Sequence, residues 1–372
     1  MSPAPSDIHL TLSLTHDCNL RCHYCYSGAK QARHMPLEVG KRALQSALRQ
    51  TRRRLHLVFF GGEPLLRWAD LLALTDEART RGESCGVQIL PTLTTNGTLL
   101  TDDRCAELAQ RRFLLAVSCD GLEMAHDALR RDRAGMGSFA RTWQGINTAL
   151  KAHLRPRIAL VVHPSNIAYL PESIEFFVAA GLRDFVVNLD WSAPWDARGM
   201  KERLTHAYEN VAALYVQAYR DANPFWISMI DSRIADRIRG VDTQDRCDLG
   251  RRNLVVAPSG NLYPCDRLIG EDDGLMSIGH IDSGVDARRL EAFMKQASFI
   301  PTACLSCAIR ERCRHRCACA NLAMSGHAGT PTSLLCFYEQ LCLRTADDAA
   351  EMLFSERNEG FLGQHYGDKV PF

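Results

Sequence analysis

The sequence predicts an α/β protein in which six strand-helix units precede a small cysteine-rich segment. Two observations carry this. Short apolar runs alternate with amphipathic stretches from residue 8 to about 190, and nine of the fifteen cysteines fall between Cys247 and Cys342. At 372 residues, 46% hydrophobic and 23% charged, the chain can bury one large core or two and is too ordinary for a disordered or fibrous protein.

The strand candidates are 8–14, 55–60, 87–93, 113–118, 157–162 and 185–189, each rich in Leu, Val, Ile or Phe. Between them lie helical stretches such as PLEVGKRALQSALRQ from Pro36 and DLLALTDEARTR from Asp70. Alternation of this kind implies a parallel sheet with right-handed crossovers, either open and doubly wound or curled into a barrel. Six units fall short of the eight that close a full barrel, and in both arrangements chemistry gathers at the carboxyl ends of the strands. A long helical pattern follows from Met200 to about Arg220, then a less regular segment to Arg246. Residues 247–343 lose periodicity. Their fragments include NLVVAPSGNLYPC, a hairpin around Ser259-Gly260, and so small a segment needs metal to hold it together. The tail containing EMLFSERNEGFLG reads as one docked helix. The expected division is 1–220, a bridging segment 221–246, a cysteine-rich domain 247–343 and a tail 344–372.

Formal net charge is +1, which argues against a nucleic-acid footprint and against attraction to an anionic membrane. The tight basic run Arg52, Arg53 and Arg54 falls where a helix should end and complements its dipole. The start MSPAPSDIHL has no signal-like apolar region and no stretch is long enough to span a bilayer, so a cytoplasmic protein is expected. A reducing compartment keeps fifteen cysteines as thiols unless metal claims them.

In THDCNLRCHYCYS, from Thr15, three cysteines fall within eight residues. A cubane iron-sulfur cluster normally takes four thiolates, so three leave one iron open for a small chelator. A zinc knuckle completed by His16 or His23 is the competing account. The pattern resembles the radical S-adenosylmethionine (SAM) superfamily, whose signature is C-x3-C-x2-C after the first strand with an aromatic before the last cysteine. Cys18, Cys22, Tyr24 and Cys25 match it. The resemblance extends along the chain. FFGGEP, from Phe59, places Gly61, Gly62, Glu63 and Pro64 after the second strand, where the family's motif contacts the SAM amino group. TLTTNGT and AVSCDG close the third and fourth strands with Thr95, Asn96, Ser118 and Asp120 at the sheet's carboxyl edge. Each is a good turn former by itself, and it is their register at successive strand ends that carries weight. Arg130, in HDALRRDRAGMGSF, is a candidate for the SAM carboxylate or else a solvated arginine on a helix face.

Cys247, Cys265, Cys304, Cys307, Cys313, Cys317 and Cys336, with Gly260 between the first two, resemble the seven-cysteine SPASM domain that follows many radical SAM barrels. Two CxxC-like pairs would also suit zinc. The resemblance implies a partial (β/α)6 TIM-like barrel followed by a small cysteine-rich iron-sulfur domain, with three [4Fe-4S] clusters and SAM. Cys304, Cys307, Cys313 and Cys336 would hold the outer auxiliary cluster, and Cys247, Cys265 and Cys317 the inner one. Relatives that complete the inner set use a cysteine where this chain has Asn253, so an open iron, a smaller core, or Cys319 or Asp248 as ligand is implied instead. Cys119 reads as core packing.

The implied activity is reductive cleavage of SAM to a 5′-deoxyadenosyl radical that abstracts hydrogen, using an external one-electron reductant of flavodoxin or ferredoxin type. Asp266 stands where sulfatase-maturing relatives place a catalytic acid, and a cluster-shell or turn residue is the structural alternative. Asp190, Trp191 and Trp195 line a substrate mouth or pack in the core. SPASM enzymes mostly act on peptides or proteins, so the expected substrate is a ribosomally made peptide, cross-linked or otherwise oxidised. Formylglycine formation on a sulfatase is the alternative, and a non-catalytic iron-sulfur or zinc protein a third. Seven residues before the first strand leave no room for a leader-binding domain, which suggests a separate recognition protein or a substrate read without a leader.

Overall fold

The structure, a computed structural model, describes residues 7–240, 249–250, 252–313 and 317–367. Its strands are β1 (Asp7–Ser13), β2 (Leu20–Cys22), β3 (Arg54–Phe60), β4 (Gln88–Thr95), β5 (Leu114–Ser118), β6 (Arg130–Asp132), β7 (Arg157–Val162), β8 (Asp184–Leu189), β9 (Trp226–Ile227), β10 (Asn253–Val256), β11 (Asn261–Tyr263), β12 (Gly279–His280) and β13 (Gly284–Val285). The six expected strands all form, as β1, β3, β4, β5, β7 and β8. The helices that carry the argument are α1 (Leu37–Gln50), α2 (Trp68–Cys85), α3 (Asp102–Gln110), α4 (Glu123–Asp127), α5 (Phe139–Lys151), α6 (Leu170–Ala179), α7 (Met200–Arg220), α8 (Ser228–Arg239), α9 (Ala287–Ala297), α10 (Thr302–Leu305), α11 (Ala318–Ser325), α12 (Ser333–Ser355) and α13 (Glu359–His365).

The chain divides into two units. The first comprises residues 1–118, 129–156 and 246–296. Here β1, β3, β4 and β5 pair in parallel, with Leu10 opposite Leu57 and Leu93 opposite Leu115. Alternation buries one face of each strand: Ile8, Leu10 and Leu12 on β1, Leu55, Leu57 and Phe59 on β3. Helix α1 covers β1 with Val39, Ala43, Leu44 and Ala47, spaced as one helical stripe. The hairpin expected at Ser259-Gly260 is present: β10 and β11 pair antiparallel, and Gly260 takes a φ of +91°. The sequence did not indicate that β10 also pairs in parallel with β1, Leu254 opposite Leu10, so the hairpin extends the amino-terminal sheet. A separate two-stranded sheet joins β2 to β6.

The second unit comprises residues 119–128, 157–245 and 297–372. Its parallel strands run β7, β8, β9, and α12 packs on α7 and α8. A buried ion pair, Arg233 Nε to Glu339 Oε1 at 2.9 Å, ties α8 to α12. The tail differs from expectation. The EMLFS stretch ends the long helix α12, Arg357 then takes a φ of +52°, and Asn358 caps a separate α13 by accepting from Phe361 N at 3.0 Å. Among the described residues, no helix is long and apolar enough to cross a membrane.

Candidate active site and cysteine clusters

The cysteine loop leaves β1, carries Cys18, Cys22 and Cys25, and returns to α1. Pairing of β2 with β6 sets Cys22 opposite Arg130. The Arg130 guanidinium donates toward Cys22 Sγ at 3.9 Å and lies over the Tyr24 ring, 5.2 Å from its centroid. Arg130 is buried on a strand, not on a solvated helix face, because the short β2–β6 ladder captures the segment before α5 can begin. Arg21 and Arg133 both donate to the Cys18 carbonyl, at 2.6 and 3.1 Å, which holds the loop's first turn. Burial pushes the Cys18 thiol up to about 11, so a positively charged partner is needed to draw off its proton. Three thiol donors from one loop form a soft set that suits an iron-sulfur cluster. His16, a candidate zinc ligand, instead has Nε2 3.6 Å from Asp272. Among the described residues, no three His, Cys, Asp or Glu side chains stand close enough together to grip a single metal ion.

The turn after β3 lies against this loop. Gly62 N donates to Thr15 O at 2.7 Å and Glu63 N to Asp17 O at 2.8 Å. The approach is so close that a Cβ on Gly62 would fall 1.9 Å from Asp17 O, and Gly61 has a φ of +126°. Pro64 starts a 3-10 turn, Pro64–Arg67, which Glu63 caps. The buried Glu63 carboxylate accepts from Leu65 N at 3.0 Å, Thr95 Oγ1 at 2.7 Å and Asn96 N at 2.8 Å. Burial raises its pKa, and these three donors offset part of the rise. Asn96 Nδ2 donates to Asn19 Oδ1 at 2.8 Å and lies 3.9 Å from Cys18 Sγ. The structure thus gathers Cys18, Gly61, Gly62, Glu63, Thr95 and Asn96 in one place. Ser118 ends β5. Asp120, in the second unit, is buried and accepts from Val161 N at 3.0 Å.

Of the second cysteine group, Cys247 and the alternative ligand Asp248 lie outside the described residues. Cys265 Sγ is 3.3 Å from Asp266 Oδ1, and Asp266 Oδ2 accepts from Tyr26 OH at 2.7 Å. Arg267 lies over the Tyr26 ring at 4.9 Å. In the second unit, burial and then the neighbouring Cys304 and Cys307 raise the Cys336 thiol, so these three cysteines share one neighbourhood. Cys317 immediately precedes α11, and Cys319 two residues later is buried. Cys119 is buried with its thiol toward Gly121 O. Trp195 is buried and donates through its indole to Asp190 O at 2.7 Å, whereas Trp191 packs edge-on against Tyr338. Two further residues, Tyr26 and Asp272, enter the site only through the structure. Tyr26 follows a recognised cysteine, which was a usable signal; Asp272 sits in a loop with no motif.

Residues 12–177 match the family model described as the Radical SAM superfamily. These residues form a radical SAM domain. The chain is 26% identical over 344 residues to the serine-type anaerobic sulfatase-maturating enzyme of Klebsiella aerogenes, covering 88% of this chain and 82% of that one. It is 21% identical over 320 residues to the cysteine-type anaerobic sulfatase-maturating enzyme of Clostridium perfringens strain 13, covering 81% and 85%. Its fold matches native anSMEcpe with bound AdoMet at a TM-score of 0.77, with 18% identity over 95% of this chain and 99% of that one. Streptococcus suis SuiB bound to precursor peptide SuiA follows at 0.64, with 17% identity over 88% and 75%. The chain is a mixed α/β enzyme with a parallel-sheet core and a cysteine-rich carboxyl-terminal region, and its radical SAM domain implies SAM and a [4Fe-4S] cluster.

Proposed function

We propose that this enzyme oxidises a side chain of a peptide or protein substrate by two electrons, using one SAM-binding and two auxiliary clusters. The observation that carries the reading is the convergence of the Cys18, Cys22 and Cys25 loop with the Gly61-Gly62-Glu63 turn and Asn96. Cys18, Cys22 and Cys25 would hold the SAM-binding cluster; Cys304, Cys307, Cys313 and Cys336 the outer auxiliary cluster; Cys247, Cys265 and Cys317 the inner one. When bound, the cluster and SAM together supply a hydrogen-abstracting radical.

The chain's own residues do the rest. Backbone at Gly61 and Gly62, with Glu63 and Pro64, forms the cradle for the SAM amino group, and Thr95 and Asn96 keep the Glu63 carboxylate in place. Tyr24, Ser118 and Arg130 would complete the SAM surroundings, with Arg130 the candidate for its carboxylate. Asp266, oriented by Tyr26, takes the proton that the substrate group loses after hydrogen abstraction. When bound, an auxiliary cluster would supply an acceptor for the remaining electron, and an external one-electron reductant of flavodoxin or ferredoxin type would supply the electron spent on SAM cleavage. Residues 1–220 would form the radical SAM domain and 247–343 the auxiliary-cluster domain.

A ribosomally made peptide, with or without a separate leader-recognition protein, and a sulfatase both meet this chemistry. The fold likeness to SuiB, solved with its precursor peptide, supports the first. The sulfatase-maturating relatives, matched over most of the chain, and Asp266 beside Cys265 support the second. Anaerobic protein given dithionite and SAM should release 5′-deoxyadenosine and contain about twelve irons if three cubanes are present. Mass spectrometry of a co-expressed neighbouring precursor and of a sulfatase then separates the substrates. An oxidised precursor beside an unchanged sulfatase supports the peptide, the reverse supports the sulfatase, and no nucleoside at all removes the enzymatic reading.

A further inference from the structure

Asp272 is a buried carboxylate held from two sides. It is 3% exposed and adopts a φ of +56°, a backbone region that side-chain-bearing residues seldom occupy. Oδ1 accepts from Ser259 Oγ at 2.7 Å, Tyr263 OH at 3.1 Å and Asn261 Nδ2 at 3.2 Å, and Oδ2 from Ser259 N at 3.0 Å. All four donors belong to the β10–β11 hairpin that leads into Cys265. From the other side come His16 Nε2 and Arg33 Nη1, each 3.6 Å from Oδ2, and Arg33 also donates to the Asp272 carbonyl at 3.3 Å. His16 and Arg33 are the two ends of the cysteine loop, joined by a hydrogen bond from His16 N to Arg33 O at 2.9 Å. Burial alone would raise the Asp272 pKa, but the nearby His16 imidazole and donation from Ser259 and Asn261 outweigh it and hold the carboxyl at about 2.

Two neighbouring contacts follow the same seam. Ala29 N donates to Glu271 Oε1 at 2.7 Å, and a Cβ on Gly28 would come within 2.6 Å of Gly270 O. The seam reaches the cradle through backbone. Thr15 and Asp17, which flank His16, are the residues whose carbonyls hold Gly62 N and Glu63 N.

We propose that Asp272 is a positioning residue that clamps the loop bearing Cys18, Cys22 and Cys25 onto the hairpin before Cys265, so that order in one ligand-bearing segment is coupled to order in the other and to the Gly62-Glu63 cradle. A carboxylate with two oxygens suits this role, since one faces three hairpin side chains and the other reaches the loop. The part concerning SAM rests on the reading of that cradle given above; the coupling of the two segments does not.

The test uses full-length, anaerobically purified protein and two readouts, hydrogen exchange and SAM binding by equilibrium dialysis. Asp272→Asn should raise exchange several-fold in residues 13–35 and 257–274 together and weaken SAM binding by about tenfold. Faster exchange confined to 257–274, with SAM affinity unchanged, overturns the clamp. Should Asp272→Asn fail to fold, Ser259→Ala serves instead, because Ser259 touches Asp272 and not the loop. It should still loosen residues 13–35, and unchanged protection there overturns the proposal. Wild-type protein that binds no SAM removes the reading of the cradle, while the exchange data decide the clamp independently.

Discussion

The hydroxyl of Tyr26 donates to Asp266 Oδ2 at 2.7 Å, linking the residue after Cys25 to the residue after Cys265. Tyr26 is 38% exposed, and desolvation of its hydroxyl first and the Asp266 charge second oppose its ionisation, so the phenol stays a donor. A carboxylate held by one good donor keeps its other lone pairs for a substrate proton. Asp266→Asn should therefore leave SAM cleavage intact while lowering oxidised product by about 100-fold, within the usual worth of a general base. Tyr26→Phe should lower it by about tenfold, the loss of one charge-assisted hydrogen bond. The check is the ratio of product to 5′-deoxyadenosine by chromatography; an unchanged ratio in Asp266→Asn assigns Asp266 a structural role.

Gly62 tolerates no side chain, because the atom its Cβ would strike is backbone, Asp17 O at 1.9 Å. Gly62→Ala should destabilise the first unit by about 3 kcal/mol and widen the cradle. Thermal unfolding followed by circular dichroism reads the first effect, and SAM affinity the second. Wild-type values in both would show that the turn can shift freely.

Glu339 and Arg233 form a buried pair whose side chains are 1% and 10% exposed. Glu339→Gln leaves the guanidinium charge uncompensated and should cost about 3–5 kcal/mol, read as a lowered denaturant midpoint. Replacing both with Arg233→Met and Glu339→Leu should recover most of that loss. A Glu339→Gln midpoint equal to wild type would show that solvent reaches the pair.

His9 and His56 stack on adjacent strands with ring centroids 4.1 Å apart and planes within 5°. Burial lowers both pKa values, and for His9 the neighbouring imidazole lowers it further. As pH falls below the unfolded value of about 6.5, the unfolded chain takes up protons that the folded pair resists, so stability declines. Between pH 8 and pH 5.5 the wild type should lose more melting temperature than His56→Gln does. Parallel curves for the two proteins would contradict this.

The six strands were legible because their apolar runs are short and bounded by helical patterns, and the cysteine loop because its spacing is unusual. The turn chemistry at Gly61, Gly62 and Asn96 was equally visible, since close backbone approach restricts residue type. What escaped had a different origin. The β10 pairing with β1 joins residues about 245 apart, and no local pattern encodes such a partner. Arg130 looked helical because a three-residue strand has too few positions to show alternation. Asp272 belongs to a loop whose role is defined by what it touches, Ser259 on one side and His16 and Arg33 on the other. The break between α12 and α13 rests on Arg357 and Asn358, and an Asn cap inside a polar tail is easily read through.

The central claim is that Cys18, Cys22 and Cys25 hold a cluster with an iron open to SAM. Electron paramagnetic resonance of the dithionite-reduced, reconstituted protein, before and after SAM, tests it most directly, with a variant carrying Cys18→Ala, Cys22→Ala and Cys25→Ala as the comparison. The account predicts a SAM-dependent change of the reduced-cluster signal in the wild type and none in the variant. A wild-type signal indifferent to SAM, or the same SAM response in the variant, would contradict it.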